Sequence, residues 1–343
     1  MKLLFVTQQV DPAHPALAAT VPKVRTLAEL VDELVVLVDG AVEGAVPANC
    51  SIRTFRSGTR AGRGLRFEAA LARELPGLRG GAVVAHMCPI YAVLAAPLVR
   101  SARIPLVLWF THWRASRLLR AAERVSTAVA SVDARSFPIP SRKVHAIGHG
   151  IDLAEFPCRP PREGDGLRLL ALGRYSPAKG LDVVLRAVAA SGTAVALDVH
   201  GPALSGEERR HRAELERLAR ELPLEGRVTF GLAVPRTEVP GLLATHDALV
   251  NNMRAGAPDK VVYEASASCA PVLASNPVFD TLLEPGQRFV RDDPGSLADA
   301  IRGLAALDAA ERHALGRRLR ERVEAGHSVQ SWARGILDAA GLR

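Results

Sequence analysis

The chain has 343 residues, a formal net charge of +8, and 48% hydrophobic, 23% charged and 4% aromatic residues. At roughly 100–200 residues per domain, this length predicts two domains, and the composition excludes bulk disorder. The longest apolar runs are strand-sized, far below the ~20 residues of a bilayer span.

The opening MKLLFVT turns polar at Gln8 and Gln9. It is too short for a signal-peptide core and no A-x-A pattern closes it, so it is expected as a first strand of a cytoplasmic protein. Short apolar runs then alternate with longer runs of helical spacing. Strands are predicted over 3–7, 34–38, 52–55, 82–86, 106–110, 127–131 and 143–147. Helices are predicted over 21–31, 65–75, 90–101 and 116–125. In the first of these, Val24, Leu27, Ala28 and Val31 fall at i, i+3, i+4 and i+7.

Residues 156–166 hold three prolines and two glycines and are expected as a linker. The alternation then resumes. Strands are predicted over 167–172, 195–200, 228–231, 248–252 and 272–275, and helices over 180–190, 207–221, 239–244 and 260–268. The tail reads as helices over 296–307, 310–324 and 330–340. Repeated β-α-β units mean a parallel sheet covered by helices. The expected fold class is therefore α/β, two tandem Rossmann-like doubly wound domains facing a central cleft. The expected domains are 1–155 and 167–327, with residues 328–343 as a C-terminal helix.

Charge is uneven. Residues 1–150 hold 19 Lys and Arg against 10 Asp and Glu, whereas the rest holds 25 against 26. A basic half suits an anionic membrane or acceptor. Only five of the 44 cations are Lys, so Arg-rich usage explains part of it. Aromatics are too sparse for base stacking, and nucleic acid is not expected as a partner. Cys50, Cys88, Cys158 and Cys269 form no C-x-x-C pair and are expected as reduced, mostly buried, inert thiols.

No G-x-G-x-x-G follows the first strand; Gln8-Gln9-Val10-Asp11 stands there instead. P-loop, H-E-x-x-H and G-x-S-x-G patterns are absent, and no aspartates are spaced D-x-D. A bound diphosphate would need its countercharge from Arg, Lys and helix ends, and no metal is expected. Four segments carry candidate chemistry. In LALGRYSPAKGLD, Gly173 permits a tight turn after a strand, Arg174 offers a planar fork of donors, and Lys179 a compact cation. In NNMRAGAPDKVVYEASA, Pro258 and Asp259 suit a helix start. There Glu264 is either a surface partner of Lys260 or, in an Ala/Val/Ser-rich helix, a buried carboxylate suited to a ribose diol. The third segment, KVHAIGHGIDLAEF, has glycines that allow a hinge, and the fourth, LWFTHWR, places His112 at a strand's end.

Together the four segments resemble glycosyltransferase family 4, which has the GT-B fold, in order and spacing over nearly the whole chain. The resemblance is stronger in the second domain. The opening VTQQVDPAHPAL is similar to a subgroup whose glycine-rich first loop is replaced. The resemblance implies metal-independent, retaining transfer of a sugar from a nucleotide-diphosphate sugar, of the UDP type, to a hydroxyl acceptor, with no further cofactor. It implies that Arg174 and Lys179 hold the diphosphate, that Glu264 holds the ribose, and that His112 contacts the donor sugar. Gly173, Lys260 and Val261 join the donor site. The family's E-x7-E pattern would need Glu at 256, where this sequence has Gly256. Backbone N–H groups from Gly256 to Asp259, or Asp259 itself, are the expected substitutes. The resemblance also implies that the final helix returns to the first domain. Peripheral contact with the inner membrane face through the basic first half is a further expectation. So is an anionic acceptor or lipid surface at Arg56, Arg60 and Arg63, against which exposed loop charge is weighed. Two other readings stand beside the transferase. One is a non-catalytic nucleotide-sugar binder or partner subunit of an active transferase; the other is a sugar-nucleotide epimerase.

Overall fold

The computed structural model describes all residues except 15, 16, 43, 163, 165, 193 and 343. Parts of the first loop (15 and 16) and of the expected linker (163 and 165) therefore lie outside the described residues. The chain forms two compact units, one of residues 1–152 and 326–343, the other of 153–325.

The first unit runs β1 (Lys2–Val10), α1 (Thr20–Glu29), β2 (Glu33–Ala41), β3 (Cys50–Thr54), α2 (Arg60–Glu74), β4 (Ala82–His86), α3 (Pro89–Ser101), β5 (Leu106–Trp109), α4 (Arg117–Val125), β6 (Ala128–Ser131) and β7 (Val144–Ala146). Its strands form one parallel sheet in the order β3-β2-β1-β4-β5-β6-β7. Leu3, Leu4, Phe5 and Val6 of β1 are wholly buried, as a strand covered on both faces requires. α2 begins five residues before the expected helix. Thr59 caps it, its hydroxyl accepting from Gly62 N at 3.0 Å. That local bond outweighs the poor helix propensity of Gly62 and Gly64.

The second unit runs β8 (Leu167–Leu172), α5 (Leu181–Ala190), β9 (Val195–His200), α6 (Gly206–Glu221), β10 (Val228–Phe230), α7 (Val239–Ala244), β11 (Ala248–Asn251), α8 (Lys260–Ala267), β12 (Val272–Ala274), α9 (Pro294–Ala306) and α10 (Ala309–His327). Its parallel sheet has the order β10-β9-β8-β11-β12. β8 lies between β9 and β11, so the order reverses at β8/β11. Ligands of open α/β sheets sit outside the carboxyl ends of strands at such a reversal.

The last helix, α11 (Val329–Ala339), packs on α1 and β6 of the first unit. Its Trp332 is fully buried. Lys23 of α1, itself 4% exposed, lies 4.8 Å from the ring centres of both Trp109 and Trp332. Desolvated cation–π contacts of this kind contribute about 2 kcal/mol or more. The glycines of the expected hinge are held by the returning chain. A Cβ at Gly148, whose φ is +79°, would lie 1.9 Å from Gly326 O. Gly150 and Ile151 N–H donate to His327 O at 3.1 and 2.8 Å.

Two expectations are corrected here. Cys158 and Cys269 are joined by a disulfide, so these two are not free thiols; Cys50 and Cys88 are free. Sequence separation hid the pair, because α8 and α10 bring residues 111 apart together. The proline-rich segment is also built into the second unit. Arg159 N donates to Ser268 O, Arg320 to Phe156 O and Ala267 O, and His313 Nε2 lies 2.9 Å from Arg159 O.

Candidate active site

At the end of β8 the backbone turns at Gly173, whose φ is +140°. Gly173 N donates to His200 O at 2.9 Å. The loop approaches its neighbour so closely that a Cβ on Gly201 would lie 1.9 Å from Gly173 O. Tyr175 anchors the loop from below. It is fully buried, with its hydroxyl 2.9 Å from Val199 O and 2.8 Å from Gly231 O. A short 3-10 turn over Pro177–Lys179 then leads through left-handed Gly180 into α5.

The turn aims Lys179 across the β8/β11 boundary. Its Nζ pairs with Asp259 Oδ2, which also accepts from Asn251 Nδ2 at 2.7 Å. Lys179 lies over Gly173: a Cβ there would meet Nζ at 2.6 Å. Asn252 Nδ2 donates to Gly180 O at 3.2 Å, and Ser275 Oγ to Asn252 Oδ1 at 2.9 Å. These bonds tie the loops after β8 and β11 together.

Asp259 is the N-cap of α8, yet its side chain makes no capping bond. Its carboxylate is directed to Lys179 and Asn251 instead. The first turn of α8, with Lys260 and Val261, therefore has no side-chain cap at the same sheet edge. A helix N-terminus of this kind favours anions. Before it, Gly256 has φ +76° and donates its N–H to Asn276 Oδ1 at 3.3 Å. Asn276 Nδ2 donates in turn to Arg254 O and Ala257 O, both at 2.8 Å.

Glu264 is buried, and its Oε1 lies 2.8 Å from Lys260 Nζ and 2.6 Å from Arg236. Both sequence alternatives are thus met in part: the carboxylate is buried and it pairs with Lys260. Burial alone would raise its pKa, but Lys260 and Arg236 together hold it below the ordinary glutamate value. Arg236 bridges onward to Glu155 Oε2 at 2.5 Å. Arg174 stands apart from Lys179 in its pairing. Its guanidinium, 55% exposed, meets buried Glu208 of α6 at 2.6 Å.

His112 belongs to the first unit, beyond the carboxyl end of β5. Its Nδ1 accepts from Arg114 N at 3.0 Å and its ring stacks on Trp113 at 5.4 Å. Burial and the nearby Arg114 charge lower its pKa, which favours the neutral ring. Because Nδ1 accepts, the proton is on Nε2, which is left as a donor.

The structure brings Gly173, Lys179, Asp259, Lys260, Val261 and Glu264 to one sheet edge. It gives Arg174 a separate carboxylate partner at the same strand's end. Sequence reasoning missed Arg236, Glu208 and Asn276; Glu208 closes the S-x-x-E capping box begun by Ser205, a spacing that marks the start of α6, whereas Arg236 and Asn276 belong to no spaced motif. Asn251 and Asn252 were visible as an unusual polar pair closing an apolar strand. Among the described residues, the one His/Cys/Asp/Glu group close enough to share an ion is Cys158, Cys269 and His313, and the disulfide uses both sulfurs.

The family model described as "Glycosyl transferases group 1" matches residues 157–322. A comparison with curated proteins found no match. Among solved structures, Anabaena Alr3699/HepE in complex with UDP is similar at 19% identity and TM-score 0.77, covering 99% of this chain and 100% of that one. Sucrose-phosphate synthase from Thermosynechococcus elongatus is similar at 17% identity and TM-score 0.76, covering 98% of each chain. A glycosyltransferase from Rickettsia africae is similar at 13% identity and TM-score 0.75, covering 99% of this chain and 97% of that one. These likenesses establish the fold: two parallel-sheet α/β domains of the GT-B type.

Proposed function

We propose that this protein is a retaining, metal-independent glycosyltransferase that moves a sugar from a UDP-type nucleotide-diphosphate sugar to a hydroxyl acceptor. One observation carries the reading. Lys179, the uncapped start of α8 and the Glu264 cluster meet at the β8/β11 reversal, within the segment that matches group 1 glycosyl transferases. The UDP bound in Anabaena Alr3699/HepE supports the choice of donor.

In this mechanism the sugar–phosphate bond loosens towards an oxocarbenium-like state while negative charge grows on the leaving diphosphate. Lys179 exchanges Asp259 for a phosphate oxygen, and Arg174 swings from Glu208 to a second. Their attraction grows with the developing charge, which is what lowers the barrier. The N–H groups of Lys260 and Val261 add the dipole of α8. Glu264, kept ionised by Lys260 and Arg236, accepts from the ribose hydroxyls. His112 donates its Nε2–H to the donor sugar. The acceptor hydroxyl attacks from the face the diphosphate leaves, and its proton passes to the departing phosphate oxygen. Cationic side chains thus supply the countercharge without a metal.

Turnover is read as UDP released with and without acceptor, after a thermal-shift screen of nucleotide sugars identifies the donor. The double variant Arg174→Ala, Lys179→Ala is expected to lose about two to three orders of magnitude. Unchanged turnover in that variant refutes the assignment. Donor binding without UDP release favours the non-catalytic reading, which Gly256 in place of a glutamate keeps in view.

A further inference from the structure

The carboxyl end of the first sheet holds a recess that the donor chemistry does not use. It measures about 820 Å³ and is lined by residues that include Asp39, Gly40, Thr54, Arg56, Ser57 and Arg66. These lie past the ends of β2 and β3 and lead into α2, the position in which open α/β sheets receive ligands.

Its charge is one-sided. Arg56 and Arg66 are exposed, and neither has a carboxylate partner among the described residues. Among the described residues, the side chain of Arg66 donates to Arg56 O alone. Arg60, exposed at the first position of α2, has no such partner either. Among the described residues the one acid in the lining, Asp39, is paired with Arg63 at 3.4 Å. The first turn of α2 holds no acidic residue, so the helix end adds positive potential. Beside the recess, Asp39 Oδ1 and Arg63 Nε are buried without a hydrogen-bond partner among the described residues. Buried polar atoms without a partner are rare in native structures, and here they belong to side chains that are 26% and 38% exposed, within reach of a solvent or ligand group.

We propose that this recess binds the phosphate monoester of a hydroxyl-bearing acceptor. Two planar guanidinium forks and a helix N-terminus match a dianion better than a single carboxylate. The role as acceptor rests on the transferase reading above; the phosphate site does not. A soluble polyol phosphate and a lipid phosphomonoester present the same chemistry.

Calorimetry with glycerol 3-phosphate, and sedimentation with phosphatidylcholine vesicles containing phosphatidic acid, separate the two sources. Binding of either by the intact chain is expected. Arg56→Ala with Arg66→Ala should weaken it by at least about tenfold. Arg56→Lys with Arg66→Lys should restore part of it, and Arg174→Ala with Lys179→Ala should leave it unchanged. Both arginines are exposed, and Arg56→Glu alone provides a second variant that keeps the Arg66 bond. Binding of neither probe, or binding indifferent to all three Arg56 variants, overturns the proposal. UDP titrated into the same proteins is the independent arm. Its failure to bind counts against the transferase reading and leaves the phosphate result standing.

Discussion

Replacing Gly173 by alanine tests how the loop after β8 positions its cation. The new methyl would lie 2.6 Å from Lys179 Nζ and 2.7 Å from Cε. Ordinary contact begins near 3.4 Å, so the ammonium must move by roughly 1 Å, which breaks its pairing with Asp259. The obstacle is the far end of a flexible side chain, so relief of the clash is cheap. The backbone is the larger cost: φ of +140° is a region that side chains other than glycine rarely adopt, worth about 1–3 kcal/mol. Two effects are expected together, a lowered unfolding free energy of that size and weaker binding of UDP. A double-mutant cycle separates them. In a Lys179→Ala background the stability loss should persist while the further loss of UDP affinity disappears. Equal losses of affinity in both backgrounds would refute the idea that Gly173 acts through Lys179.

Other outcomes follow from the same contacts. Asp259→Asn removes the carboxylate that competes for Lys179, so UDP should bind about tenfold more tightly by calorimetry; weaker binding would mean that Asp259 orients the cation for its ligand. Reducing Cys158–Cys269 opens a link spanning 111 residues and should lower stability by about 2–4 kcal/mol. Melting curves with and without a thiol reductant should differ in the native chain and coincide in the Cys158→Ser, Cys269→Ser variant. His86 and His327 test acid stability. Burial holds His86 well below its ordinary pKa, and burial, only partly opposed by Asp133, brings His327 down to about 4. His327 is partly exposed as a residue, but its Nδ1 is buried. Both rings stay neutral in the folded chain while the unfolded chain takes up protons below about pH 6.5. Stability is therefore full above that pH and falls towards pH 4, at up to about 1.4 kcal/mol per unit for each histidine. Urea midpoints at pH 7 and pH 5 read the slope, and His327→Asn should make it shallower.

The strands over 82–86, 167–172 and 195–200 and the helix over 239–244 were legible to the residue; the strands are mostly apolar runs with a glycine directly at one end or both. The start of α2 was not, since a single Thr59 hydroxyl decides it against two glycines. At the candidate site, the sequence displayed Gly173, Lys179 and Asp259, which stand at a strand end, in a turn and at a helix start inside motifs with recognisable spacing. What it could not display is partnership. Arg236 reaches Glu264 across 28 positions, and Arg174 reaches Glu208 across the whole of α5 and β9 and the start of α6. Such pairs are fixed by packing rather than spacing. The disulfide was hidden for the same reason.

Partnership also changes what the charge distribution means. At the β8/β11 edge, Arg174, Lys179, Lys260 and Arg236 are matched by Glu208, Asp259, Glu264 and Glu155. Four cations and four carboxylates make this edge close to neutral as a whole. Attraction for a diphosphate must then come from exchange, in which an anion displaces a carboxylate already held in place, and from the uncapped dipole of α8. Exchange favours ligands whose charge and geometry beat the resident carboxylate, which selects for a diphosphate over a single weakly charged group. The first unit works differently. Its excess of positive charge includes Arg56, Arg60 and Arg66, which have no resident carboxylate among the described residues, so an anion arriving there displaces only water. A surface of that kind draws anions from a distance and is sensitive to salt. UDP binding at the neutral edge should depend less on ionic strength than phosphate binding at the basic recess, because only the latter begins with an uncompensated field.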